Sequence, residues 1–166
     1  MAIEIIATVN ASDANSYNTI GEMTAYYEAS PYRAWWEALD ADAQKELAVY
    51  STINLDNSFD FVGRKSSSTQ SLAWGRSDVY DKDGYEIASD EIPVNIKYAQ
   101  NEMAYFISVN EGSTQDNSIK KAKVGSLEVE YKDGLQTEQF TNSEVVRAVG
   151  EFGESKSSGN FNIGKY

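Results

Sequence analysis

Apolar residues recur at steps of three and four in three stretches of the chain, and each stretch has its own start signal. Ile20, Met23 and Tyr27 follow Thr19-Ile20-Gly21-Glu22, the form of a capping box in which Thr19 and Glu22 satisfy each other's backbone N–H. Pro31 closes this first helix, predicted over residues 20–29, because the residue before a proline avoids helical angles. Leu39, Ala43, Leu47, Ala48, Ser51 and Leu55 form a second stripe behind Asp40, an N-cap residue type, and predict a helix over 41–57. Ile96, Ala99, Met103, Phe106 and Ile107 form the third. Asp90 and Glu91 stand where the helix dipole favours negative charge, and Pro93 suits the first turn. This helix, running to Asn110, is expected to be the longest and to organise the rest. A short fourth helix is predicted around Val145, Val146, Ala148 and Val149, capped by Asn142 or Ser143.

A period of two marks the extended segments. Val79 and Tyr80 are separated from Tyr85 and Ile87 by Asp81-Lys82-Asp83-Gly84, a hairpin signal in which Gly84 accepts positive φ. Leu127, Val129 and Tyr131 alternate with Glu128 and Glu130 as in a half-buried strand. Residues 1–9 are β-branched and predict a strand or an extended arm, followed by loop chemistry over 10–18. From Gly150 the chain is rich in Gly and Ser but spaces Phe152, Phe161, Ile163 and Tyr166. These four are candidate contacts to a partner or a neighbouring copy. The fold expectation is mainly α: a small helical bundle of three main helices plus a short C-terminal one, with a β-hairpin, a further strand and extended terminal arms. The body is predicted over residues 1–149 and the C-terminal arm over 150–166.

The residue types present narrow the chemistry. The 166 residues contain no Cys and no His, which removes disulfides, thiolate nucleophiles and the commonest catalytic base. No cofactor is expected, no metal spacing stands out, and the chain is not expected to be an enzyme. Aligning Gly84 with the glycine of a calcium loop puts Val79 where a ligand is obligatory, so the acidic residues from Asp78 to Asp90 read as charged hairpin flanks. Gly63-Arg64-Lys65-Ser66 lacks the spacing of a phosphate loop. No apolar run is long enough to cross a membrane, and the first residues do not form a signal peptide. Tyr32-Arg33-Ala34-Trp35-Trp36 is expected to plug the space between the first two helices, with Arg33 over a ring face. The net charge is −12, which repels phosphate; Lys120, Lys121 and Lys123 are the compact basic patch.

Trp74-x-Arg76-Ser77-x-Val79-Tyr80-Asp81-x-Asp83-Gly84, then Ser89-Asp90-Glu91-Ile92-Pro93 and a helix, resembles the head-to-tail connector (adaptor, or head-completion) proteins of tailed bacteriophages. Members often carry the label DnaT-like single-stranded-DNA-binding. The likeness extends from Asp13 to Tyr131, including Phe59-x-Phe61-x-Gly63-Arg64 and Lys121-x-Lys123-Val124-Gly125-x-Leu127-Glu128-Val129-Glu130-Tyr131. The family's terminal helix is longer and more apolar than the one predicted here. The resemblance implies a virion structural protein at the head–tail interface, made in the host cytoplasm. It implies a homo-oligomeric ring, commonly dodecameric, that joins the portal protein to a stopper, tail or nozzle protein. Genomic DNA would pass through its channel without sequence-specific binding. It marks Trp74, Arg76, Val79, Tyr80, Asp83, Gly84, Ser89, Asp90 and Pro93 as the structural motif. The alternative is a DnaT-like single-stranded-DNA-binding protein, which needs aromatic platforms joined to a positive groove.

Overall fold

The structure is a computed structural model that describes residues 3–110, 123–124, 127–128 and 142–156. Among them the helices are α1 (Ile20–Glu28), α2 (Arg33–Glu37), α3 (Ala41–Ser58), α4 (Val94–Asn110) and α5 (Ser143–Val149). The strands are short: β1 (Phe59–Phe61), β2 (Arg64–Lys65), β3 (Arg76–Ser77), β4 (Lys123–Val124), β5 (Leu127–Glu128) and β6 (Gly153–Ser155). The mainly α architecture with a hairpin is as the sequence predicts.

Local signals set the helix starts. At α1 both halves of the capping box form: Glu22 N–H donates to the Thr19 hydroxyl at 3.2 Å, and Thr19 N–H to the Glu22 carboxylate at 2.7 Å. Asp40 accepts from the Asp42 and Ala43 amides at the head of α3, and Asn142 from Glu144 and Val145 at the head of α5. Pro93 lies just before α4 rather than inside it; its carbonyl accepts from the Ile96 and Lys97 amides. With 18 residues against 17, α3 is slightly longer than α4.

Two apolar clusters fill the body. In one, Ile96, Ala99, Met103 and Ile107 of α4 meet Leu55 of α3, Val145 and Val149 of α5, and Tyr17, Phe59, Trp74, Val79 and Phe152. In the other, Met23 and Tyr27 of α1 pack on Trp36, Ala48 and Ala104. The Tyr32–Trp36 plug is therefore present, as the short helix α2. Arg33 does not cover a ring; it reaches Glu37 one turn on at 2.7 Å.

The strands tie remote segments together. β1 and β6 pair antiparallel with Phe59 opposite Ser155 and Phe61 opposite Gly153. β2 pairs with β3, and β4 with β5, also antiparallel. At the start of the chain residues 3–8 form neither helix nor strand and are held where Asn15 accepts from Ile6 N–H and donates to the Glu4 carbonyl, both at 2.8 Å. The strand predicted through Tyr131 is described only at Leu127 and Glu128.

The expected boundary at residue 150 moves. Residues 150–152 form a turn of 3-10 helix, β6 follows, and the Lys156 amide donates to the Ser58 carbonyl at 2.8 Å. Phe152 is 4% exposed and edge-on to Trp74, with ring centres 5.8 Å apart. It is therefore a core residue of its own chain, not a contact held out to a partner. A large aromatic side chain gains more from this enclosed site than from solvent, and Gly153 lets the strand pass close to Asp60 and Phe61.

Candidate functional site

The motif residues gather around one crossing of the chain. Arg76 leaves β3 and turns its guanidinium back onto backbone carbonyls: Val62 at 2.6 Å, Gly63 at 2.9 Å, Ala73 at 3.0 Å and Phe61 at 3.2 Å. A planar fork of fixed donors suits this task better than a lysine ammonium. Trp74 sits beneath it, 1% exposed, flanked by Phe61 and Phe152. Its indole N–H is buried without a hydrogen-bond partner. The following peptide bond, Trp74–Gly75, is cis. Gly75 passes so close to Ser89 that a Cβ would stand 2.3 Å from the Ser89 carbonyl oxygen. That carbonyl accepts from Asn10 Nδ2 at 3.1 Å and from the Ser66 hydroxyl at 2.9 Å.

Nearby, Asp56 near the end of α3 accepts from the Tyr17 phenol and from the Ala73 amide, the latter at 2.9 Å. Burial pushes the Asp56 carboxyl above its ordinary value against the pull of those donors. Burial and the adjacent carboxylate push the Tyr17 phenol well above 10.0. The phenol thus stays protonated and donating.

Of the other motif residues, Val79 belongs to the same core as Trp74, and the rest lie on the hairpin and toward the head of α4. Val79 is buried, whereas Tyr80 is 56% exposed. The hairpin is a tight turn with a single bridge, Tyr80 to Glu86, rather than a ladder. Asp81 does the turn's work, accepting from the Asp83 and Tyr85 amides at 2.9 and 2.8 Å, while Gly84 takes φ +86°. Asp83 and Asp90 are exposed, and Pro93 is buried at the head of α4. Phe161, Ile163 and Tyr166 lie outside the described residues.

The sequence reading passed over a buried polar hub. Gln100 and Asn101 lie on the inner side of α4, fully enclosed, although the helical stripe reads as apolar. The Gln100 side-chain oxygen accepts from the Asn18 amide and from Asn18 Nδ2, both at 2.9 Å. Its Nε2 donates to the Ser16 hydroxyl at 2.8 Å and to the Ala48 carbonyl at 3.0 Å. The signal was the Asn15-Ser16-Tyr17-Asn18 run, which reads as a loop but supplies side chains to the core.

A groove opens beside this hub between α1 and α4, enclosing about 740 Å³. Its walls include Tyr26, Tyr32 and Tyr98, and its carboxylates are Glu22, Glu102 and Glu144. Tyr26 and Tyr98 have ring centres 5.1 Å apart, and Tyr32 stacks on Tyr105 at 3.8 Å. The Tyr26 phenol donates to Glu102. Lys97 also lines this aromatic surface, paired with Glu22, so three carboxylates stand against one lysine. Among the described residues no group of three or more carboxylates is placed to hold a metal ion, and no helix is long and apolar enough to cross a membrane.

Compared with known families, residues 1–165 match the model of the family described as "Putative DnaT-like ssDNA binding protein". No curated protein and no solved structure matches the chain.

Proposed function

With the chain belonging to this DnaT-like family, we propose that it works as a head-to-tail connector of a tailed bacteriophage. In this reading copies form a ring between the portal protein and a stopper, tail or nozzle protein, and the genome passes through the channel. The observation that carries the reading is the placement of aromatic residues and charge. Of the three tryptophans, the side chains best suited to stack on bases, Trp36 and Trp74 are buried in the core and Trp35 is half-buried, its indole donating to Ser108. The aromatic groove that is open has three carboxylates on its walls against one lysine, Lys97, in a chain of net charge −12. Single-strand binding pairs aromatic platforms with a positive track along the backbone. A channel for DNA needs the reverse, a surface that phosphates do not adhere to. The motif from Trp74 to Pro93 supports the same reading, since its buried members hold loops together and present nothing that reads a base.

The second reading, a single-stranded-DNA-binding protein, is favoured by the family's description alone. Anisotropy with a labelled oligonucleotide separates the two. The connector reading expects no submicromolar binding at about 150 mM salt, near the physiological ionic strength; tight binding there promotes the second reading. Mass measurement of the chain alone and with its portal should show a multi-copy ring. The C-terminal residues Phe161, Ile163 and Tyr166 are assigned here to the portal or a neighbouring copy, so truncation after Lys156 should weaken portal binding. A portal complex that forms only as a single copy, or that ignores the truncation, counts against ring and arm respectively.

A further inference from the structure

We propose that the groove between α1 and α4 receives lysine side chains from the Lys120-Lys121-Ala122-Lys123 run of a second copy of this chain. This rests on the ring reading for the source of the lysines, not for the chemistry of the groove. Glu22 is matched by Lys97 at 2.6 Å, and Glu144 by Arg147 at 3.0 Å. Glu102 is different: its partner is the phenol of Tyr26, a neutral group. Burial and the Glu102 charge itself push that phenol's pKa well upward, so it does not ionise to add or move charge. Among the described residues no Lys or Arg forms an ion pair with Glu102, so the groove keeps an unmatched carboxylate beside Tyr26 and Tyr98.

Carboxylate and phenol rings together suit an ammonium on a flexible stem. The methylenes lie along a ring, and the charge sits over a face within about 6 Å of its centre. About 740 Å³ holds more than one such side chain, so a short segment fits better than an isolated residue. The chain carries 26 acidic residues against 14 basic ones, so copies repel unless local charges of opposite sign meet. Three of its lysines fall within four positions, 120 to 123. A ring is closed by a head-to-tail contact between two different surfaces, and an acidic aromatic groove with a basic run gives such a pair.

The test uses the full chain carrying Lys120→Gln, Lys121→Gln and Lys123→Gln, whose own run cannot compete. A labelled peptide of residues 118–125 is titrated into it and followed by anisotropy. Binding is expected, weakening as salt screens it, and falling by about tenfold, the equivalent of 1.4 kcal/mol, with Glu102→Gln or with Tyr98→Ala. Glu102→Gln keeps an acceptor for Tyr26, and Tyr98 is exposed, so melting curves should show both variants folded. No binding, or binding indifferent to both substitutions, overturns the groove. The source is tested by mixing. Copies with Glu102→Gln and copies with the three Lys→Gln changes should each fail to self-associate, yet pair when combined, one lending the run and the other the groove. If the mixture does not pair although the peptide binds, the second copy is overturned as the source. A ring on the portal unaffected by Glu102→Gln overturns the docking and leaves the connector reading intact.

Discussion

A Cβ on Gly75 would lie 2.3 Å from the Ser89 carbonyl oxygen, whereas one on Gly84 would meet nothing within 4 Å. The two glycines of the motif are thus kept for different reasons, proximity in one case and φ +86° in the other. Gly84→Val should cost about 1–2 kcal/mol, the strain of left-handed backbone. Gly75→Ala, the smaller change, should cost at least as much, because overpacking against backbone typically costs about 1–3 kcal/mol and the neighbour here cannot rotate away. Denaturant melts of the two variants decide it; a milder Gly75→Ala would mean that the Ser89 segment yields easily. Phenols give a second test. Tyr17 and Tyr27 are fully buried and their pKa values lie well above the ordinary 10.0. Above that pH the unfolded chain sheds these protons while the folded chain keeps them. The stability they contribute is complete below pH 10 and is lost as pH climbs past it, by about 1.4 kcal/mol per pH unit for each phenol. Tyrosinate absorbance should rise together with unfolding, and a gradual titration of all eleven tyrosines at the ordinary pH without unfolding would contradict this.

At the scale of elements, the caps were legible because a capping box, an Asp N-cap and an Asn N-cap act within four residues of themselves. The helix stripes were legible too, since Ile96, Ala99, Met103 and Ile107 are buried as their spacing predicts. Arg76 was visible as a motif residue but its task was not. The carbonyls of residues 61, 62, 63 and 73 converge only after β2 pairs with β3. Gln100 was illegible for a related reason: a glutamine in a helix ordinarily faces water, and only the approach of residues 16–18 and Ala48 gives it four hydrogen bonds. That hub clamps the leading loop to α3 and α4 at once. Gln100→Leu keeps the volume but strands the Asn18 backbone amide; the Ser16 hydroxyl still donates to the Asn18 carbonyl, and the Ala48 carbonyl still accepts from Ser51 and Thr52. At about 1–3 kcal/mol for a buried unsatisfied group, a loss of about 1–3 kcal/mol is expected. A loss below 1 kcal/mol in urea melts would mean that water replaces the side chain.

Across the whole molecule, the two ends of the described chain meet in one core. Val9 and Tyr17 join Val145, Val149 and Phe152 in the cluster that packs on α4. Phe152 shows why composition misleads here: a Gly- and Ser-rich stretch looks like a free arm, yet one aromatic residue and a three-residue strand fasten its beginning to the body. Phe152→Ala should destabilise by about 3–5 kcal/mol, the usual range for deleting a buried aromatic ring, with a clear fall in melting midpoint. An unchanged midpoint would return residues 150–156 to the arm.

The docking of α5 and β6 onto α4 and β1 makes residues 142–156 resemble a ligand that the protein carries on its own tether. The intervening polypeptide, from Asn110 to Asn142, acts on that ligand as a concentration. While it is intact, the encounter is intramolecular, with an effective concentration that does not depend on how much protein is present. A single cut there would make the molecule a two-part complex. Its melting midpoint would then depend on how dilute it is, which the uncut chain's would not.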